Sequence, residues 1–277
     1  MFNRIFYSAI VTALWFTTAV YPVSYQVGTM ANYSTYYPDE ATWGPYGEID
    51  VELFKGGEWR NRFSHFQNYI VYDGSESAAY LSSNELQTEI ACDINHDLQL
   101  TPGLRGSLGS SNLNSVAPLL SALYTLNNDT FIMAVMSYTW EQYTVSSTDI
   151  DNEYFFGYIS ILPMLTQKLE LEVRPEINTS KYSILSEGDN SYYMTLGLNY
   201  YLNDWFYGGT NIRSGSDFSD FNAIGGGIAL NFVLFDGFIF TTTLDYSYNE
   251  QEYEGISGTS KEINNIYLVY ANLSFRF

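Results

Sequence analysis

Residues 169–177 read Leu-Glu-Leu-Glu-Val-Arg-Pro-Glu-Ile, with apolar and polar side chains taking turns along the whole stretch. Period two places successive side chains on opposite faces of an extended strand, whereas a helix would mix these residues on every face. The pattern recurs. In residues 98–108 the apolar set is Leu98, Leu100, Pro102, Leu104 and Leu108, against Gln99, Thr101, Gly103, Arg105 and Ser107. Residues 192–202 put Tyr192, Met194, Leu196, Leu198, Tyr200 and Leu202 on one side. Residues 224–234 set Ile224, Ile228, Leu230, Phe232 and Leu234 against Gly225, Gly227, Ala229 and Asn231. Residues 238–248 set Phe238, Phe240, Leu244, Tyr246 and Tyr248 against Thr241, Thr243, Asp245 and Ser247. A soluble sandwich can alternate in this way too, but it has no need of so many long strands with tyrosine at both ends.

The connections supply the topology. Short polar turns fall at Asn95-His96-Asp97, Asn127-Asn128-Asp129, Thr166-Gln167-Lys168, Asn203-Asp204 and Phe235-Asp236-Gly237. Asn, Asp and Gly tolerate the positive φ that tight hairpins require. Between them, residues 109–115, 144–152, 182–190, 214–221 and 249–264 read as longer acidic or Ser/Gly-rich loops. Tight turns at one end and long loops at the other are the polarity of a transmembrane β-barrel, with the turns periplasmic and the loops extracellular. Residues 81–277 give eleven strands, and an odd number must precede them. Residues 25–37, 48–54 and 62–72 fit as three, joined by 38–46 and 55–61, for a total of fourteen; if only one of these is real the count is twelve. A barrel is one closed unit, so residues 20–277 are read as a single domain.

Composition agrees with this class. The chain carries 26 Tyr, 18 Phe and 5 Trp, and its 31 Asp plus Glu against 11 Lys plus Arg give a formal charge of −20. Tyr, Thr, Ser, Asn and Gly suit strands and turns. Phosphate contacts need Lys and Arg, so nucleic acid is not an expected partner. Residues 1–19 read as a secretory signal: Arg4 is a thin basic region, an apolar run follows, and Thr17-Thr18-Ala19 offers a cleavage site, with Ser24 an alternative. The competing reading is an uncleaved anchor over residues 5–23. Cys92 is alone, which excludes an intrachain disulfide and a multi-cysteine metal site.

The final residues, Tyr-Leu-Val-Tyr-Ala-Asn-Leu-Ser-Phe-Arg-Phe, alternate and stop on phenylalanine. This looks like the closing strand of a Gram-negative outer-membrane barrel. In that family such an ending, here Phe275 and Phe277, is also the signal read by the barrel-assembly machinery. The whole architecture over residues 24–277 resembles monomeric outer-membrane porins of the OmpG type, which share its length and its acidic, aromatic-rich hairpins. The resemblance implies an all-β, antiparallel up-and-down transmembrane barrel, a place in the bacterial outer membrane among lipid and lipopolysaccharide, and transport. It carries no family-specific motif.

Charged side chains facing lipid are costly, so the polar faces are assigned inward. The expected pore-lining residues are Glu89, Arg105, Glu170, Glu172, Arg174, Glu176, Arg213, Asp245 and Arg276, with Glu85, Gln87 and Asp93 beside them. An acidic, water-filled pore attracts cations and repels anions. These same charges could instead pair across the wall and fill the interior. Fourteen strands lie between filled eight-stranded barrels and open channels of roughly 16–18 strands. A narrow channel follows, one that residues 38–46 could plug by folding inward.

Other chemistry has little support. Ser64 and His65 are adjacent in a strand and point to opposite faces, so they form no dyad. His96 lies in a turn, and the His-x-Ser-Asn-Gly run of outer-membrane phospholipase is absent. The acids of the loops (Asp149, Asp151, Glu153, Glu187, Asp189, Asp217, Asp220, Glu250, Glu252 and Glu254) match no calcium loop and read as solvated surface. Gly225-Gly226-Gly227 lies inside a strand and marks close packing, not a phosphate cradle. No catalytic residue, metal or cofactor is expected. The function read from the sequence is passive diffusion of small solutes, cationic or neutral. The alternative is a non-conducting structural or adhesive barrel that acts through its long loops.

Overall fold

The computed structural model describes residues 23–34, 39–71, 78–109, 114–127, 129–145, 148–182, 188–203, 205–218, 221–235, 238–255 and 258–276. The signal reading of residues 1–19 falls outside them. The described residues form fourteen antiparallel strands closed into a barrel, each paired with its sequence neighbours and β1 with β14. The strands are β1 (Val23–Ser34), β2 (Asp39–Phe54), β3 (Gly57–Val71), β4 (Ala78–Asp93), β5 (Leu98–Gly109), β6 (Asn114–Asn127) and β7 (Thr130–Val145). They continue with β8 (Thr148–Thr166), β9 (Leu169–Tyr182), β10 (Gly188–Asn203), β11 (Phe206–Ser216), β12 (Phe221–Phe235), β13 (Phe238–Gly255) and β14 (Gly258–Arg276). The count is fourteen, not twelve.

The alternating segments at 98–108, 169–177, 192–202, 224–234 and 238–248 each lie inside one strand, and the registers carry their two faces from strand to strand, with shifts near several turns. Tyr46 opposes both Gly28 and Ser64, Ser64 opposes Glu85, Glu85 opposes Ser107, and Ser107 opposes Ser115. On the far side Glu176 opposes Tyr158 and Tyr193, Tyr193 opposes Gly215, and Gly215 opposes Ala223. These residues share the lumen face. Along β10 the outward Met194, Leu196 and Leu198 are 46%, 51% and 42% exposed, while Thr195 between them is 1% exposed. Cys92 is also on the outward face, opposite Gly57 and Leu100.

Outward aromatics cluster near both rims. By the turn ends Phe232 meets Phe206 in a tilted contact at 5.0 Å and stacks with Phe240 at 6.2 Å. Toward the other ends of the strands, Tyr138 meets Trp140 at 4.7 Å and Tyr246 meets Tyr267 at 5.1 Å. An apolar band between two aromatic girdles is the outside of a transmembrane barrel.

The tight turns are built by side chains that close on their own backbone. Asn95 Oδ1 accepts the amides of Asp97 (2.8 Å) and Leu98 (3.0 Å), and Asn203 Oδ1 accepts those of Trp205 (3.1 Å) and Phe206 (2.9 Å). Thr166 Oγ1 accepts the amide of Lys168 at 3.2 Å. Such Asx and Ser/Thr turns explain why these residue types punctuate the strands. Pro45, Pro102 and Pro118 have no N–H, and the ladder on one side of each skips it.

Three expectations need correction. Of the 38–46 segment, residues 39–46 are neither loop nor plug but wall, with Thr42 opposite Asn32 on one side and Asn68 on the other. The 55–61 turn shrinks to Lys55-Gly56, where Gly56 takes φ 82°, and Gly57 onward already pairs with β4. The loops at 144–152 and 249–264 are mostly hairpin: Val145 opposes Thr148, and the last pair of β13 and β14 is Gly255 with Gly258. Acidic, polar residues read as loop by composition, yet a hairpin already in register extends its ladder into water at no burial cost.

Candidate functional site: the charged lumen

The residues assigned inward from the sequence all take register positions on one face of the wall, that of Ser64, Glu85 and Tyr193. They gather into two groups. The first lies on β2–β5. Glu89 accepts from Gln87 Nε2 at 2.6 Å, and Arg60 pairs with Glu58 at 2.6 Å. Arg62 stands over the Tyr46 ring at 4.6 Å. Arg105 opposes Gln87 on one side and Ala117 on the other.

The second group, on β8–β13, is denser. Arg174 Nη1 pairs with Glu172 Oε1 at 3.2 Å, and the same oxygen accepts from Ser160 at 2.9 Å. Arg213 pairs with Glu176 by reaching across β10, and Asn178 donates to the same Glu176 oxygen at 3.0 Å. Asn199 donates to Glu170 at 2.8 Å. Two tyrosines serve as platforms: Arg213 lies 3.9 Å from the Tyr193 centroid and Arg174 lies 5.4 Å from that of Tyr158. Glu170 and Glu176 are each only 9% exposed. The carboxylates here are held by hydrogen bonds as well as by charge, which is what keeps partly buried ions tolerable.

Glycine makes room for this group. Gly227 lies between Asn211 on β11 and Asp245 on β13. A Cβ at Gly227 would fall on the Asp245 carboxylate, so its absence lets Asn211 and Asp245 hydrogen-bond across β12. The Gly225-Gly226-Gly227 run is thus close packing within a strand. Beside it a recess of about 460 Å³ opens on the lumen, bordered by Arg174, Arg213 and Asp245, with Gly215 and Gly225 contributing no bulk.

The two groups sit half the circle apart in the strand order, on facing walls. Among the described residues the lumen-side ion pairs run along the wall, and none spans the bore. All described residues lie in strands or in the short connections between them. Arg276 ends β14 opposite Gln26. Phe275 opposes Val27 and Phe238, while Phe277 lies outside the described residues.

The other candidates do not converge. Ser64 is buried on the lumen face, while His65 faces outward with Nδ1 3.0 Å from Asn84 Oδ1. His96 is exposed beside Asp97 at 2.9 Å. Asp151 accepts from Gln142 at 3.1 Å, and Glu153 accepts from Tyr138 at 2.7 Å and pairs with Lys181 at 3.8 Å. Among the described residues no set of three or more His, Cys, Asp or Glu is arranged to hold a metal. Asp149, Glu187, Asp220, Glu252 and Glu254 have side chains outside the described set.

One feature of the lumen is not an alternation feature at all. On β6–β8 the inward positions include Leu119, Leu123, Met133, Val135, Phe156 and Leu162. The available signal was the run Phe131-Ile132-Met133-Ala134-Val135-Met136, apolar on both parities and therefore on both faces.

No family model matches the sequence. No curated protein is detectably similar to it. Solved structures share its fold. The P. putida toluene transporter TodX matches with a TM-score of 0.56 at 7% identity, covering 93% of this chain and 89% of that one. The Ralstonia pickettii toluene transporter TbuX matches at 0.53 and 8% identity, over 92% and 88% of the two chains. A Pseudomonas aeruginosa FadL homologue matches at 0.51 and 8% identity, over 92% and 89%. The fold is that of bacterial outer-membrane β-barrels.

Proposed function

We propose that this barrel is a channel of the bacterial outer membrane through which small solutes diffuse passively, with a preference for cations and neutral molecules. The observation that carries this reading is the lumen face itself. Its carboxylates (Glu48, Asp50, Glu58, Glu85, Glu89, Asp93, Glu170, Glu172, Glu176 and Asp245 among them) outnumber its arginines (Arg60, Arg62, Arg105, Arg174, Arg213 and Arg276) among the described residues, and the ion pairs between them hug the wall. Fourteen strands spaced roughly 4.8 Å apart and tilted by roughly 40° enclose a backbone radius of about 14 Å. Side chains on facing walls then leave room for hydrated ions. A surplus of fixed negative charge in such a bore raises local cation concentration and lowers that of anions.

The named neighbours, two toluene transporters among them, support transport as the business of this fold and do not assign a solute to this chain. The exposed apolar band around Leu196 and Leu198 faces membrane lipid, with lipopolysaccharide about the outer rim. Phe275 and Phe277 belong to the segment offered to the barrel-assembly machinery. The reading includes no catalytic step and no cofactor. Planar-bilayer recording of the folded barrel tests it: discrete conductance steps support a channel, and a folded but silent barrel contradicts one.

A further inference from the structure

The inward strip on β6–β8 is a part of the lumen that a purely ion-conducting wall does not require. Leu123 opposes Met133 and Val135 opposes Tyr158, and with Leu119 and Phe156 on either side of Ser137 the apolar positions recur on three adjacent strands, interleaved with Ser121, Ser137 and Ser160. Leu123 is 39% exposed, on the inside of a closed wall where membrane lipid has no access. Apolar surface left toward water forgoes roughly 25 cal/mol per Å². Serine or threonine at these positions would line a water-filled bore without that loss.

The strip has a charged edge. Tyr158 opposes Glu176, and Ser160 donates to Glu172 at 2.9 Å, so the β9 carboxylates stand directly beside it, Glu172 and Glu176 already paired with Arg174 and Arg213 and Glu170 held by Asn199. At the same edge Arg174 already lies over the Tyr158 ring, 5.4 Å from its centroid, which shows that a cation is accommodated against an aromatic face there. A hydrophobic lane bordered by carboxylates complements a small molecule with an apolar body and a cationic group.

We infer that the barrel passes small cationic amphiphiles, of which an arylalkylammonium ion is the simplest, with the apolar body on the β6–β8 strip and the ammonium group handed along the carboxylates of β9. This rests on the channel reading above. The solute is in transit, so the contact is brief and shows as a transient block of the ionic current.

The test is single-channel recording of the full barrel with benzylammonium and methylammonium as probes. Blocks by benzylammonium are expected to last about tenfold longer than those by methylammonium, the effect of removing one aromatic ring from water in part. Leu119→Ser with Val135→Ser should shorten benzylammonium blocks toward the methylammonium value, and Glu172→Gln should shorten them too. The near-isosteric Val135→Thr gives the same reading if the double variant does not fold. Ile161→Val, on the outer face, should leave block lifetimes as they are. Equal lifetimes for the two probes, or lifetimes indifferent to Val135→Thr and Leu119→Ser, overturn the inference. A barrel that conducts KCl yet ignores the aromatic body refutes this inference alone, whereas a silent barrel refutes the channel reading beneath it.

Discussion

At the scale of the residue, the lumen assignment stands or falls on single carboxylates. Glu172 holds both Arg174 and Ser160, so Glu172→Gln removes a negative charge from the bore and loosens an arginine at once. The expected result is a reversal potential shifted toward zero in a KCl gradient, and more so below 0.1 M salt, where the Debye length exceeds about 10 Å. Glu170→Gln should act in the same direction, and unchanged selectivity in both variants would contradict the placement. Gly227 makes a different kind of prediction. Gly227→Val drives a side chain into Asp245, and overpacking of this sort costs about 1–3 kcal/mol. A lower urea midpoint for the refolded variant in detergent would report it. The facing of Glu170, Glu172, Arg174 and Glu176 was legible in the sequence, because parity within one alternating strand is local. Which partners they take was not legible. Arg213 meets Glu176 across an intervening strand, and no spacing in the chain encodes that contact.

At the scale of the element, turns and hairpins divide the same way. The tight turns could be read because Asn95, Thr166 and Asn203 close them with their own side chains. Asn203→Ala removes two such bonds at the β10–β11 turn and should cost about 1 kcal/mol in equilibrium unfolding. The length of the opposite hairpins could not be read. Glu250 opposes Ile263 and Glu252 opposes Lys261, pairings set by a register fixed much lower down, at Leu244 and Val269. Composition sees acids and calls loop, but the backbone ladder keeps going. Because the tip of the β13–β14 hairpin extends well past the residues that carry the lumen charges, deleting residues 252–259 should leave single-channel conductance nearly unchanged. A barrel that acts by surface adhesion would behave oppositely, losing attachment in a binding assay while its lumen variants stay active.

At the scale of the whole molecule, closure is the event that makes a lumen exist. Its seam between β1 and β14 is reinforced from β2: the Tyr46 hydroxyl donates to Asn272 Oδ1 and accepts from Gln26 Nε2, each at 3.1 Å. The Tyr46 ring covers Gly28, where a Cβ would come within 2.7 Å of it. Tyr46→Phe keeps the ring and loses the bridge over β1. It should lower the stability of the closed barrel by about 1 kcal/mol, measurable as a shift in the temperature at which the compact form converts to the slow-migrating form on cold SDS gels. An even-numbered closed sheet and its two faces were legible at this scale because alternation and turn polarity together force a closed antiparallel barrel, while the choice between twelve and fourteen strands rested on residues 25–72 and was not. The apolar strip on β6–β8 was not, since an apolar run in a barrel strand reads first as lipid contact.

The measurement that tests the account most directly is the reversal potential of the folded barrel in a planar bilayer under a KCl gradient. Current that reverses at a cation-selective potential, weakened by Glu172→Gln, is the predicted outcome. A folded barrel that is silent, or one that reverses at an anion-selective potential, would contradict it.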